Sequence, residues 1–128
     1  MKVIIDTHAL IWAVDDPERL GSKAHALIDD SRNEILLSSG CIWELAIKIG
    51  LGKLTLSLPF VTWMNQAVTD LNLTILPITI ECADVQSRLD NHHRDPFDRL
   101  VVAHAVVMSA PLISSDPIFD RYSISRIW

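Results

Sequence analysis

Short, unbroken runs of apolar residues punctuate this chain, and the runs stop on polar or acidic side chains. Val3-Ile4-Ile5 stops at Asp6, Ile35-Leu36-Leu37 at Ser38, and Leu112-Ile113 at Ser114. Such runs are too short for helices and lack the alternation of a strand with one wet face. They fit strands buried on both faces of a parallel sheet. Leu73-Thr74-Ile75-Leu76 reads as a further strand, and residues Ile124 to Ile127 hold a short fifth one. Helical patterns fill the gaps. One runs from Asp6-Thr7-His8 through Ala13, and Pro17 lies in the break after it. A second spans about Lys23 to Ser31, with Ala24, Leu27 and Ile28 at helical spacing. Ser39-Gly40 caps a third, which stops near Gly50 and Gly52. Pro59 starts a fourth, with Val61, Met64, Ala67, Val68 and Leu71 facing inward, and Thr79 caps a fifth that runs to about Asp90. After the polar loop Asn91 to Arg94, Asp95-Pro96-Phe97-Asp98 opens the most apolar helix, which ends near Ala110-Pro111. Strands alternating with helices predict a three-layer α/β/α domain over residues 1–128, with a mainly parallel sheet of four to five strands. Val3-Ile4-Ile5 and Leu112-Ile113 are expected in neighbouring strands.

The bulk composition narrows the class. Hydrophobic residues make up 49% of the 128 and charged residues 21%, a globular balance with enough material for a core. The mean hydropathy of +0.27 is high for a small chain and points to surface covered by a partner or a second copy. No apolar run reaches the roughly 18 residues of a membrane span, and the N-terminus has no signal-peptide pattern, so a cytoplasmic protein is expected. Cys41 and Cys82 sit in apolar helical contexts and match no zinc spacing, which fits buried thiols in a reducing compartment. A net charge of −5 argues against a protein that coats nucleic acid. It leaves room for a nuclease whose negative charge is gathered in one site.

That charge has a pattern. Asp6 ends the first strand, Asp116 follows the fourth, Asp98 opens the most apolar helix, and Glu44 lies among Ile42, Trp43, Leu45 and Ala46. Each acid has an ordinary explanation alone. Asp6, Asp95 and Asp116 suit helix N-caps, Asp95 with Pro96 behind it. Glu44 and Lys48 have the spacing of a surface ion pair. Capping does not explain why the acids gather where an α/β sheet binds ligands, beyond the carboxyl ends of its strands. Carboxylates converging there repel one another unless a cation neutralises them. Oxygen ligands select a hard cation, Mg²⁺ or Mn²⁺, and hence a phosphate substrate. Lys48, Lys53, Arg94 and Arg99 are near enough in sequence to contact phosphates. His92-His93 in the polar loop reads as solvent-facing, His8 and His104 as core or interface residues, and the four tryptophans as packing or interface residues.

With these residues in view the chain resembles a PIN domain, specifically the VapC-like toxin half of toxin–antitoxin pairs. The resemblance covers nearly the whole chain. It rests on Ile4-Ile5-Asp6-Thr7-His8-Ala9-Leu10, on the Ser38-to-Ala46 block with Glu44, on Asp95-Pro96-Phe97-Asp98-Arg99-Leu100-Val101-Val102-Ala103-His104-Ala105, and on Leu112-Ile113-Ser114-Ser115-Asp116. It implies a Mg²⁺- or Mn²⁺-dependent endoribonuclease in which Asp6, Asp98 and Asp116 hold metal and Glu44 binds metal or orients water. Ser114 stands where the family often has Thr, and Asp95 is an extra acid of supporting or capping role. Lys48, Arg94 and Arg99 are the candidate RNA contacts. The resemblance also implies a homodimer inhibited by a cognate antitoxin lying across the active site. Two other readings suit the same residues: a catalytically silent protein-binding module, and a metal-dependent phosphatase of small phosphate esters.

Overall fold

The computed structural model describes residues 1–128 and contains five strands and six helices. The strands are β1 (Lys2–Ile5), β2 (Glu34–Ser38), β3 (Thr74–Leu76), β4 (Leu112–Ile113) and β5 (Arg126–Ile127). The helices are α1 (Thr7–Asp15), α2 (Ser22–Asp29), α3 (Ser39–Gly50), α4 (Phe60–Asp70), α5 (Ile80–Ser87) and α6 (Pro96–Met108). Short 3₁₀ turns at Pro17–Arg19 and Pro117–Arg121 complete the chain.

All strand pairs are parallel, in the order β3-β2-β1-β4-β5. β1 lies at the centre, and its Ile4 and Ile5 are in register with Leu112 and Ile113 of β4. Val3, Ile4, Ile5, Leu36, Leu37, Leu112 and Ile113 are almost wholly inaccessible, as unbroken apolar runs in a doubly covered sheet require. From β1 the chain moves outward to β2 and β3, then crosses back to place β4 and β5 on the other side. Right-handed crossovers in two directions put helices on both faces, the three-layer α/β/α architecture. The reversal makes a switch point between β1 and β4, and a crevice opens at the carboxyl ends of those strands.

Caps set where the helices begin. Asp6, Ser38, Thr79 and Asp95 each accept a backbone N–H from the first turn of α1, α3, α5 and α6. Three of these helices start at or beside the crevice, so capping and site building use the same residues. α3 and α6 approach closely at Gly40, where an added Cβ would collide with the Leu100 side chain. This lack of a side chain lets the helix carrying Glu44 lie against the helix carrying Asp98.

Several boundaries differ from the sequence expectation. α2 ends at Asp29 rather than Ser31, and α5 ends at Ser87 rather than Asp90. β5 is only Arg126–Ile127. His8 is exposed, not in the core of the chain, whereas His104 is buried with Nε2 on the Pro77 carbonyl oxygen at 3.1 Å. The tryptophans divide: Trp63 is fully buried, Trp12 and Trp128 meet edge-on, and Trp43 is exposed. Both cysteines are buried and free. No helix is long and apolar enough to cross a membrane.

Candidate metal centre

Asp6 leaves β1 with its backbone N–H donated to the Ile113 carbonyl of β4 at 3.1 Å, which pins the acid at the switch point. Its Oδ1 accepts the Ala9 amide at 2.8 Å, and the neighbouring Ser114 side chain also favours its charged form. Burial raises its pKa, against the pull of those hydrogen bonds and the charge of His8, and the Glu44 charge adds to the rise. Ser114 is fully buried, and its Oγ accepts the Asp116 amide at 3.1 Å. The two acids are thus linked through the end of β4, where the Ile113 carbonyl accepts the Asp6 amide and the Ser114 hydroxyl accepts the Asp116 amide.

Glu44 is nearly inaccessible within α3. Its Oε1 accepts the Thr7 hydroxyl at 2.7 Å, and its Oε2 meets Lys48 Nζ at 2.5 Å. The Glu44–Lys48 pair anticipated from spacing is thus real, but its acidic half is buried rather than on the surface. Burial works against the Lys48 charge, yet Glu44, Asp95 and Asp98 together raise its pKa.

Asp98 sits in the first turn of α6. Burial, then the neighbouring Asp95, push its pKa up to about 6, with Glu44 and Asp6 adding repulsion and His93 opposing it. The charges of Asp6, Glu44 and Asp98 also converge on Cys41. Burial above all pushes that thiol up to about 12, against a hydrogen bond with Thr7, and the three acids push it further. A thiol so raised is inert. Asp95 caps α6 through the Phe97 amide at 2.8 Å.

Asp116 stands somewhat apart. Its Oδ1 accepts the Ile118 amide at 2.9 Å, and its Oδ2 meets His93 Nε2 at 2.9 Å. Burial works upward on Asp116, but these bonds and the charges of His93 and Arg126 outweigh it and leave the pKa lowered. The loop expectation for His93 is overturned. Its side chain is only 6% exposed, because the ring packs on Phe119 and Tyr122 and hydrogen-bonds at both nitrogens.

As the side chains stand, no three acidic, histidine or cysteine groups surround one point closely enough to ligate an ion. The donor chemistry still fits a hard cation. Asp6, Glu44 and Asp98 are all carboxylates, they repel one another, and of the three only Glu44 is paired with a lysine, Lys48. Beside them a groove of about 380 Å³ is lined by Lys48, Lys53 and Arg94, with Ile47, Leu51 and Phe97 among its apolar walls. Arg99 does not join it. Its guanidinium donates to the carbonyls of Gln86, Leu89 and Asp90 at 3.0–3.2 Å, closing the end of α5. The expectation of a phosphate contact at Arg99 gives way to this structural role.

Sequence reading missed Thr7, His93 and Tyr122. Thr7 had a signal, since it directly follows Asp6 in the helix's first turn. His93 and Tyr122 are 29 residues apart and had none.

Known proteins share the fold. The family model described as PIN domain matches residues 3–124. The chain is similar to Ribonuclease VapC22 of Mycobacterium tuberculosis, 26% identical over 115 residues, covering 89% of this chain and 86% of that one. Among solved structures it is similar to VapBC2 from Rickettsia felis bound to a promoter DNA fragment, with a TM-score of 0.76 at 17% identity over 99% of this chain and 98% of that one. FitAcB from Neisseria gonorrhoeae gives 0.67 at 15% identity, over 98% and 96% of the two chains.

Proposed function

This chain belongs to the PIN domain family, and from that premise we propose that it is a divalent-metal-dependent endoribonuclease, the toxin of a toxin–antitoxin pair. The observation that carries the reading is that Asp6, Glu44 and Asp98, on elements that start at the carboxyl ends of the central strands, lie near enough to repel one another. Similarity to a named ribonuclease over most of both chains supports it.

Asp6, Asp98 and Asp116 would hold Mg²⁺ or Mn²⁺, which when bound supplies Lewis acidity and neutralises charge developing on a phosphodiester. Glu44, held at one oxygen by Thr7 and at the other by Lys48, would bind the metal or orient the attacking water. Ser114 accepts the Asp116 amide and so helps to set the turn that carries this acid. Lys48 and Arg94 line the neighbouring groove and suit the backbone phosphates of a single RNA strand.

The proposed partners follow the same reasoning. An antitoxin would present an Arg or Lys to the acids, since a guanidinium pairs with two carboxylate oxygens. Solved relatives are described as VapBC and FitAB assemblies, which supports such a partner. A homodimer in the cytoplasm completes the reading.

The test is to incubate purified, antitoxin-free protein with total RNA and Mg²⁺, Mn²⁺ or EDTA. Cleavage that needs the metal and disappears in Asp6→Asn is the expected result. Hydrolysis of small phosphate esters without RNA cleavage would turn the reading to a phosphatase. Silence in every arm would turn it to a binding module.

A further inference from the structure

We propose that His93 is a positioning residue for Asp116, fixing the plane of a carboxylate that would serve as a metal ligand; the inference rests on the metal-site reading above. The geometry is a chain of three bonds. The His93 backbone N–H donates to the Tyr122 hydroxyl oxygen at 3.0 Å, the same hydroxyl meets His93 Nδ1 at 3.0 Å, and His93 Nε2 meets Asp116 Oδ2 at 2.9 Å. A ring with its proton on Nε2 satisfies every partner: Tyr122 donates to Nδ1, and Nε2–H donates to Asp116. Phe119 and Tyr122 pack against the ring with centroids at 4.5 and 5.6 Å, the Tyr122 ring nearly coplanar in orientation at 6°.

The hold matters because of where Asp116 sits. Its side chain is 35% exposed, it follows the two-residue strand β4, and its other oxygen caps a 3₁₀ turn. One bond to the Ile118 amide leaves the carboxylate free to turn toward water. The second, from a ring that is itself clamped, fixes its plane. The charge of His93 is also felt by Asp98. Packing alone does not account for this residue. A phenyl ring would fill the space against Phe119 and Tyr122, yet it would lack the nitrogen that meets Asp116. Partners that orient a metal-binding carboxylate typically change ion affinity roughly 10–100-fold when removed.

The experiment is a Mn²⁺ binding isotherm on the purified protein, followed by electron paramagnetic resonance, with thermal unfolding and RNA cleavage measured alongside. His93→Ala is expected to weaken Mn²⁺ binding at least tenfold and to lower kcat more than it raises KM for RNA. His93→Gln, whose amide can donate to Asp116, is expected to recover most of the affinity. Tyr122→Phe keeps the ring stack and removes the hydroxyl, so a several-fold loss is expected from a variant that packs normally. In an Asp116→Asn background, His93→Ala is expected to add no further loss. Unchanged Mn²⁺ affinity in folded His93→Ala and Tyr122→Phe would overturn the proposal, as would an undiminished His93 effect in the Asp116→Asn background. An Asp116→Asn protein that binds Mn²⁺ normally would overturn it too, while metal-dependent RNA cleavage would still judge the nuclease reading separately.

Discussion

Asp98 carries the sharpest electrostatic consequence at the scale of the single residue. Its folded pKa of about 6 exceeds the ordinary 3.8, so between those values the folded chain holds a proton that the unfolded chain has released. Stability must then fall as pH rises from about 4 through 6, the reverse of a salt-bridged carboxylate. Asp98→Asn should remove that part of the slope and stabilise the metal-free protein at pH 7 on the order of 1 kcal/mol, after allowance for solvent screening. Thermal unfolding in EDTA across pH 4–7 measures it, and the same variant should cut no RNA. Thr7→Val makes a second case. It strands one oxygen of buried Glu44 and should cost about 1–3 kcal/mol in a denaturant titration. Asp6, Asp98 and Asp116 were legible in the sequence because each follows a strand or opens a helix, and Glu44 because it stands inside α3 among apolar neighbours. His93 was not. Its partners lie 23 and 29 residues away, and nothing local distinguishes a histidine aimed at a carboxylate from one in water.

Element boundaries show the same division between local and distant causes. β1, β2 and β4 were legible because burial on both faces demands unbroken apolar runs. The end of α5 was not, because it is set by Arg99 reaching back from α6 to three carbonyls. Arg99→Ala should leave those groups unsatisfied and cost roughly 1–3 kcal/mol. Thermal melts should show a lower Tm, with KM for RNA unchanged. Lys48→Ala is the contrasting case. It should raise KM for RNA and flatten its salt dependence, because a lost phosphate contact lowers the number of counterions released. If the two variants exchanged these behaviours, the assignment of the groove would be reversed.

At the scale of the whole molecule, several large apolar side chains stand in water. Trp43, Leu51, Ile80 and Val61, the last expected on the inner face of α4, are each more than 60% exposed. A second copy or an antitoxin would have such side chains to cover. Light scattering should give about twice the 14.4 kDa of one chain, and a small protein encoded beside it should co-purify and suppress cleavage. A strictly monomeric protein without such a companion would leave the nuclease and remove the toxin–antitoxin reading. The high mean hydropathy signalled this surface, although composition could not say which residues formed it.

The central place of β1 has a consequence in time. On one flank β1 pairs with residues 34–37, but on the other it must wait for residues 112–113. Contacts this distant in sequence form late, because loop closure must precede them. Asp6 therefore leaves the ribosome long before the strand that completes its surroundings. A site built this way would stay unfinished until β4 has been made and docked, and a chain caught before that point would lack it.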